Sequence, residues 1–273
     1  MLSQIWGARF PVDVKCIALE YSKRFSDPIY KVAEADVSAF EGALYPLPKK
    51  GGWAILYNPT IASSGRINYT LAHELGHYFA HRAMAPAGFQ CGERDVLGNA
   101  AKTALRQQER EADEFASYLL MPLNDFRQQI GTQRMSSDLL RHLADRYSVS
   151  LTAAALKWIE STESCAAVVV ATNGHVLWCR PSTSARKARI YFEFGMELPA
   201  RSVAALGEGA QRDDGTNLPA GVWHSTPVRE IAIFADRYEM TISLLIFDHA
   251  APLDGWDDEA VEDAFDRFER NSR

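Results

Sequence analysis

Apolar residues recur along the chain at two periods, and the change from one to the other divides it. Over 11–25, PVDVKCIALEYSKRF, they fall at helical spacing and predict a helix packed on the core. Pro48, the two lysines after it, Gly51 and Gly52 mark a turn. The run that follows, GWAILYNP at 52–59, is short, apolar and aromatic and closes on Asn-Pro, which suits a strand. INYTLAHELGHYFAHRAM at 67–84 returns to the helical period. Ile67, Leu71, Leu75 and Phe79 are its apolar positions, a threonine stands near its start, and Pro86 lies just beyond its end.

Three glycines and a cysteine make 87–99 a loop. A second long helix is predicted over 100–120, stopping at Met121-Pro122, with a further helix over 122–130. Two helices separated by 147–150 are expected within 136–163, with Ser150 as N-cap before Leu151. Their outline is that of a helix-turn-helix, but few exposed basic residues are there to meet phosphates, so they read as a packed pair closing the catalytic core. From Cys165 the period drops to two. CAAVVVATNGHVLWC holds two β-rich runs joined by Asn173-Gly174, a strong hairpin signal, and a second domain begins near here. Further strands are predicted at 188–194 and 240–249, with a flexible loop at 207–221. DGWDDEAVEDAFDRFER ends the chain as an acidic amphipathic segment with the character of a solvated helix.

At 273 residues, 47% of them apolar, the chain can bury more than one core, so more than one folded unit is expected. A net charge of −6, from 29 basic and 35 acidic residues, argues against nucleic-acid binding through bulk charge. No run of about 18 uncharged apolar residues occurs, and MLSQIWGARF lacks the pattern of a secretory signal. No membrane partner is therefore expected, and the expected location is cytoplasmic. Cys16, Cys91, Cys165 and Cys179 are too scattered for a CxxC metal clasp and too few for a disulfide scaffold, so most of them read as buried reduced thiols.

The candidate chemistry is concentrated in His73-Glu74-Leu75-Gly76-His77, an HExxH string. Four residues of helix turn through about 400°, so both imidazoles lie on one face about 6 Å apart along the axis and can share one ion. Glu74, rotated about 100° from His73, can reach water without being a ligand. Catalytic zinc needs a third protein ligand on an element that folds back, and Glu109 in QQEREAD supplies one. Glu111 is the rival, but Glu109, Asp113, Ala116 and Leu120 share a helix face that Glu111 and Glu114 leave. Asp113, one turn on, can accept a hydrogen bond from the far nitrogen of a ligating imidazole and so fix its tautomer. His81 continues the spacing but lies about 12 Å from His73 along the axis, so it reads as a solvated histidine or one standing behind the ligands.

Glu74 is then the general base, with Tyr118 or Tyr78 as a candidate oxyanion donor, each also readable as a packing aromatic. GWAILYNP is a candidate to add a substrate strand by edge pairing. Cys91, in FQCGERD between the two metal-bearing helices, looks like the cysteine-switch segment that occupies zinc in latent matrix metalloproteases, and is a candidate regulatory thiol.

TLAHELGHYFAHR together with EREADEFASYLLMP resembles the ImmA/IrrE metallopeptidases, in which HExxH is followed by a glutamate-bearing helix ending in LLMP. The resemblance implies a gluzincin-like fold with Zn2+ held by His73, His77 and Glu109 and with Glu74 as base. It also implies an endopeptidase whose partner is a helix-turn-helix repressor, cut so that stress-response or mobile-element genes are switched on. The expected class is α+β. A zincin-like metallopeptidase domain spans 1–130, a helix-turn-helix-like segment 131–163, a smaller C-terminal α/β domain with a loose likeness to GAF-type sensors 164–250, and an acidic tail 251–273. Two rivals stay open: a non-hydrolytic anti-repressor that sequesters its repressor on the same core, and a purely structural zinc site.

Overall fold

The computed structural model describes residues 7, 9–35, 41–60, 63–84, 87–90, 99–235 and 240–247. The chain divides into two compact units, Met1–Gln128 with Ala144–Ser150, and Gln129–Leu143 with Leu151–Arg273. The acidic segment at 251–273 lies outside the described residues.

The first unit is built on a four-stranded sheet in the order β1-β3-β2-β4, from β1 (Ile29–Glu34), β2 (Gly42–Leu47), β3 (Gly52–Tyr57) and β4 (Phe89–Gln90). β3 runs parallel to β1 and antiparallel to β2. Its sequence is apolar almost throughout because it is the interior strand, with every residue but Leu56 buried. GWAILYNP therefore has no free edge to offer a substrate, contrary to the expectation from sequence. The outward edge beyond it belongs to β2, and β4 takes part of that edge through the pairs Ala43–Gln90 and Leu44–Phe89.

Helices cover this sheet. α1 (Val14–Tyr21), whose Asp13 cap accepts from Cys16 N, buries Val14, Ile17 and Ala18 and packs on β1. α2 (Ser64–Ala80) begins earlier than its apolar period suggests, because Ser63 and not a threonine caps it, accepting from Arg66 N. It lies on β2 and β3 with Leu71, Leu75 and Tyr78 buried. α3 (Asn99–Leu120) packs along α2. The two backbones touch where Gly76 meets Ala112: a Cβ on Gly76 would stand 3.0 Å from Ala112 Cα and 3.1 Å from its carbonyl oxygen. α4 (Leu123–Ile130) follows Pro122. Its Asp125 accepts two hydrogen bonds from Arg146, each 2.9 Å, and the Tyr147 hydroxyl at 2.6 Å, which fastens the 144–150 segment to the unit.

The second unit carries a five-stranded antiparallel sheet in the order β6-β5-β9-β8-β7, from β5 (Ala166–Thr172), β6 (His175–Pro181), β7 (Thr216–Leu218), β8 (Val228–Ala235) and β9 (Met240–Ile246). Asn173-Gly174 turns β5 into β6 with φ of 49° and 75°, the left-handed pair that a tight hairpin needs. α5 (Ser137–Tyr147) precedes α6 (Leu151–Ser161). α6 lies on β5 and β6 and buries Ala154, Ala155, Trp158 and Ile159. The apolar face of α6 thus belongs to this sheet, while Arg146 and Tyr147 of α5 are held by Asp125 in the first unit, so the expectation of a helix pair closing the catalytic core is corrected for α6 alone.

Residues 188–194, expected as a strand, are irregular. α7 (Thr183–Lys187) runs up to them, and Arg189 at φ 55° has left the β region. The stretch 207–221, expected as a loop, contains β7 and a short 3-10 turn, Glu208–Ala210, after α8 (Val203–Leu206). Near the start of β8, Glu230 is wholly buried. Four donors meet its carboxylate: Val203 N at 2.7 Å, Ala204 N at 3.1 Å, Trp223 Nε1 at 2.9 Å and Ser243 Oγ at 3.0 Å. Helices and two sheets together make the chain α+β. Among the described residues, no helix is long and apolar enough to cross a membrane.

Candidate metal centre

The i, i+4 spacing on α2 turns His73 and His77 to one side, and their Nε2 atoms come within 3.0 Å of each other. Both are buried, as is Glu74 between them. α3 brings Glu109, 6% exposed, against the pair. Its Oε2 is 3.5 Å from His73 Nε2 and its Oε1 is 3.6 Å from His77 Nε2. The Gly76–Ala112 contact permits this approach. Ala112 lies one turn after Glu109 and Gly76 lies between the histidines, so backbones that touch there leave the Glu109 carboxylate within reach of both rings.

The three donor atoms lie within 4.8 Å of one another and can hold a metal ion. The two Nε2 atoms, 3.0 Å apart, and the Glu109 oxygens, 3.5 and 3.6 Å from them, converge on one point from two helices. Two imidazoles and one carboxylate form a donor set that suits zinc. Burial first, and then the neighbouring His73, hold the His77 pKa down to about 3 from 6.5. Its ring is therefore neutral at neutral pH, with a lone pair to give.

The outer nitrogens are also engaged. His73 Nδ1 lies 2.8 Å from Asp113 Oδ1, and the Tyr69 hydroxyl donates to that same oxygen at 3.1 Å. His77 Nδ1 lies 3.1 Å from His81 Nδ1, and His81 Nε2 lies 2.9 Å from Glu111 Oε2. Of the two glutamates that sequence weighs for the ion, Glu109 stands at the Nε2 atoms of His73 and His77 and Glu111 at His81. His81 is fully buried, not solvated. On the sheet side, Gly42 of β2 faces Glu74: a Cβ there would stand 3.0 Å from Glu74 Oε1 and would collide with Thr70 Cγ2.

The other candidates fall elsewhere. Tyr118 lies on the opposite face of α3 from Glu109, about 13 Å further along the axis, and is half exposed. Tyr78 is buried, donates its hydroxyl to the Asp27 carbonyl at 3.2 Å and lies under the Arg82 guanidinium. Burial pushes its pKa up to about 12. It is a packing residue. Cys91 lies outside the described residues. Sequence reasoning missed the roles of Gly42, Tyr69 and Gly76 and the contact between His81 and Glu111; the i+4 continuation from His77 to His81 is the signal that could have exposed the last.

Residues 27–158 match the peptidase M78 family, described as an IrrE N-terminal-like domain. This segment belongs to the ImmA/IrrE family. The IrrE-like domain includes His73, Glu74, His77, Glu109 and Asp113, and the family is metallopeptidase-like. Among solved structures, a Mycobacterium tuberculosis transcriptional regulator matches at 13% identity with a TM-score of 0.52, over 90% of this chain and 74% of that one. At that identity the likeness is one of fold. Comparison with curated proteins gives no match.

Proposed function

We propose that the IrrE-like domain is a cytoplasmic zinc endopeptidase that hydrolyses a bond in a helix-turn-helix repressor and so releases a stress-response or mobile-element regulon. The observation that carries the hydrolytic reading is the buried His73, His77 and Glu109 cluster, with Glu74 on the same helical turn and outside the ligand set. The repressor as substrate rests on the family resemblance.

His73, His77 and Glu109 would hold the ion. When bound, zinc supplies a Lewis acid that acidifies water and polarises the scissile carbonyl. Glu74 accepts the proton of the attacking water on its carboxylate and returns it to the leaving amine. Asp113 fixes the His73 ring from behind. For the second unit the reading is a GAF-like sensory domain, supported by its strand order.

Incubation of the purified, zinc-loaded protein with helix-turn-helix repressors from the same genome, starting with any encoded by a neighbouring gene, tests the proposal. Cleavage at one bond should stop on adding a chelator and in Glu74→Gln, while that variant keeps both zinc and the repressor. A Glu74→Gln variant that relieves repression in cells as fully as the wild type would instead make the protein a sequestering anti-repressor.

A further inference from the structure

His81 and Glu111 form a connected path from the surface to the metal cluster. The carboxylate of Glu111 is half exposed at the outer end, where Oε1 accepts from Gln107 Nε2 at 2.8 Å. Its Oε2 meets His81 Nε2 at 2.9 Å, and His81 Nδ1 meets His77 Nδ1 at 3.1 Å. His81 is 0% exposed, so a polar ring has been buried at a position that an apolar side chain could fill.

With His81 neutral, hydrogen-bond complementarity fixes the direction of each proton on this path. An ionised carboxylate only accepts, so His81 carries its hydrogen on Nε2. A neutral His81 then presents a lone pair at Nδ1, and the nitrogen facing it, His77 Nδ1, must carry a hydrogen. That leaves the lone pair of His77 on Nε2, the atom that lies 3.0 Å from His73 Nε2 and 3.6 Å from Glu109 Oε1. Asp113 imposes the same tautomer on His73 directly, through a carboxylate on Nδ1. The two ligand histidines are thus oriented by different devices, one by a carboxylate and the other by an imidazole backed by a carboxylate on the same helix, α3.

We infer that His81 and Glu111 are positioning residues for His77, acting as a relay that fixes its tautomer and ring orientation for metal binding. The inference rests on the metal reading of the cluster. It makes α3 contribute twice to one centre: Glu109 from the ligand side and Glu111 from behind.

Zinc affinity, measured by competition with a chromophoric chelator, tests the relay without requiring a substrate. His81→Phe fills the space without a hydrogen bond and should weaken zinc binding by about 10- to 100-fold. His81→Gln, whose amide oxygen can accept from His77 Nδ1–H, should recover most of that loss. Glu111→Ala alters a half-exposed side chain and should leave the fold intact while weakening zinc severalfold in the wild-type background and not at all in His81→Phe. Histidine 15N spectra of the metal-free protein should show His77 as the Nδ1–H tautomer in the wild type and as a mixture in His81→Phe. Equal zinc affinity in the wild type and His81→Phe overturns the relay, as does an effect of Glu111→Ala that persists in the His81→Phe background. A wild-type protein that takes up no zinc overturns the metal reading itself, a separate outcome.

Discussion

Gly76 and Ala112 bring the backbones of α2 and α3 into contact, and the carboxylate of Glu109 reaches the two histidines because of it. A methyl group on Gly76 would press on the Cα and carbonyl oxygen of Ala112, neither of which can rotate away. Gly76→Ala should therefore weaken zinc binding by about tenfold through a small displacement of Glu109, by the logic that loosened supporting contacts cost 10- to 100-fold in affinity. Gly76→Val should abolish it. Because the obstacle is backbone, Ala112→Gly should not rescue either variant; chelator competition alongside far-ultraviolet dichroism separates loss of metal from loss of helix.

Gly42 offers a different lever, since it faces the proposed base and none of the ligands. Gly42→Ala should lower kcat by about 100-fold, the cost of a displacement near 1 Å in a reacting group, while zinc affinity stays at the wild-type value. Removing the obstructing methyl with Thr70→Ser in the same chain should restore part of the rate. Parallel loss of zinc and rate in Gly42→Ala would show that the glycine serves the cluster as a whole.

The depressed pKa of His77 predicts how the metal-free protein responds to acid. In the unfolded chain the imidazole takes up a proton near 6.5, whereas in the folded protein it resists until about 3. Between those values the unfolded state binds more protons, so the stability contributed by neutral His77 is complete above 6.5 and declines as pH falls towards 3. Melting temperatures of the metal-free protein should fall across this window, and less steeply in His77→Gln. Identical pH profiles for the two proteins would contradict the assignment.

Glu230 supports a prediction for the second unit. Glu230→Ala strands four donors that now point at its carboxylate, two of them main-chain groups at the start of α8. A loss of about 3 kcal/mol or more is expected in denaturant unfolding. Glu230→Gln should also destabilise, because its amide group turns a donor towards donors. A change within 0.5 kcal/mol for Glu230→Ala would refute this account.

The first unit was legible in the sequence where a single element carried the pattern. His73, Glu74 and His77 follow from one helix, and in the second unit Asn173-Gly174 follows from the turn it makes. β1 and β2 went unread because each draws its strand character from the neighbour it pairs with. IYKVAE alternates poorly, and GALYPL contains a proline that only a strand edge accepts. The 188–194 run was misread because β-rich composition does not reveal a left-handed residue such as Arg189. His81 and Glu111 were underrated for a related reason: helical phase predicts which way a side chain leaves its own helix, not what the facing helix presents to it.

The ownership of residues 144–161 bears on how this protein can be dissected. Tyr147 and Arg146 are bound into the first unit through Asp125, whereas the apolar face of α6 is committed to β5 and β6. The family match ends at residue 158, inside that helix. A fragment cut there would keep His73, His77 and Glu109 yet expose Ala154, Ala155 and Trp158 to water, and would be expected to aggregate before any activity could be measured. The limits of the family are limits of common descent; they are not a joint at which the polypeptide can be severed.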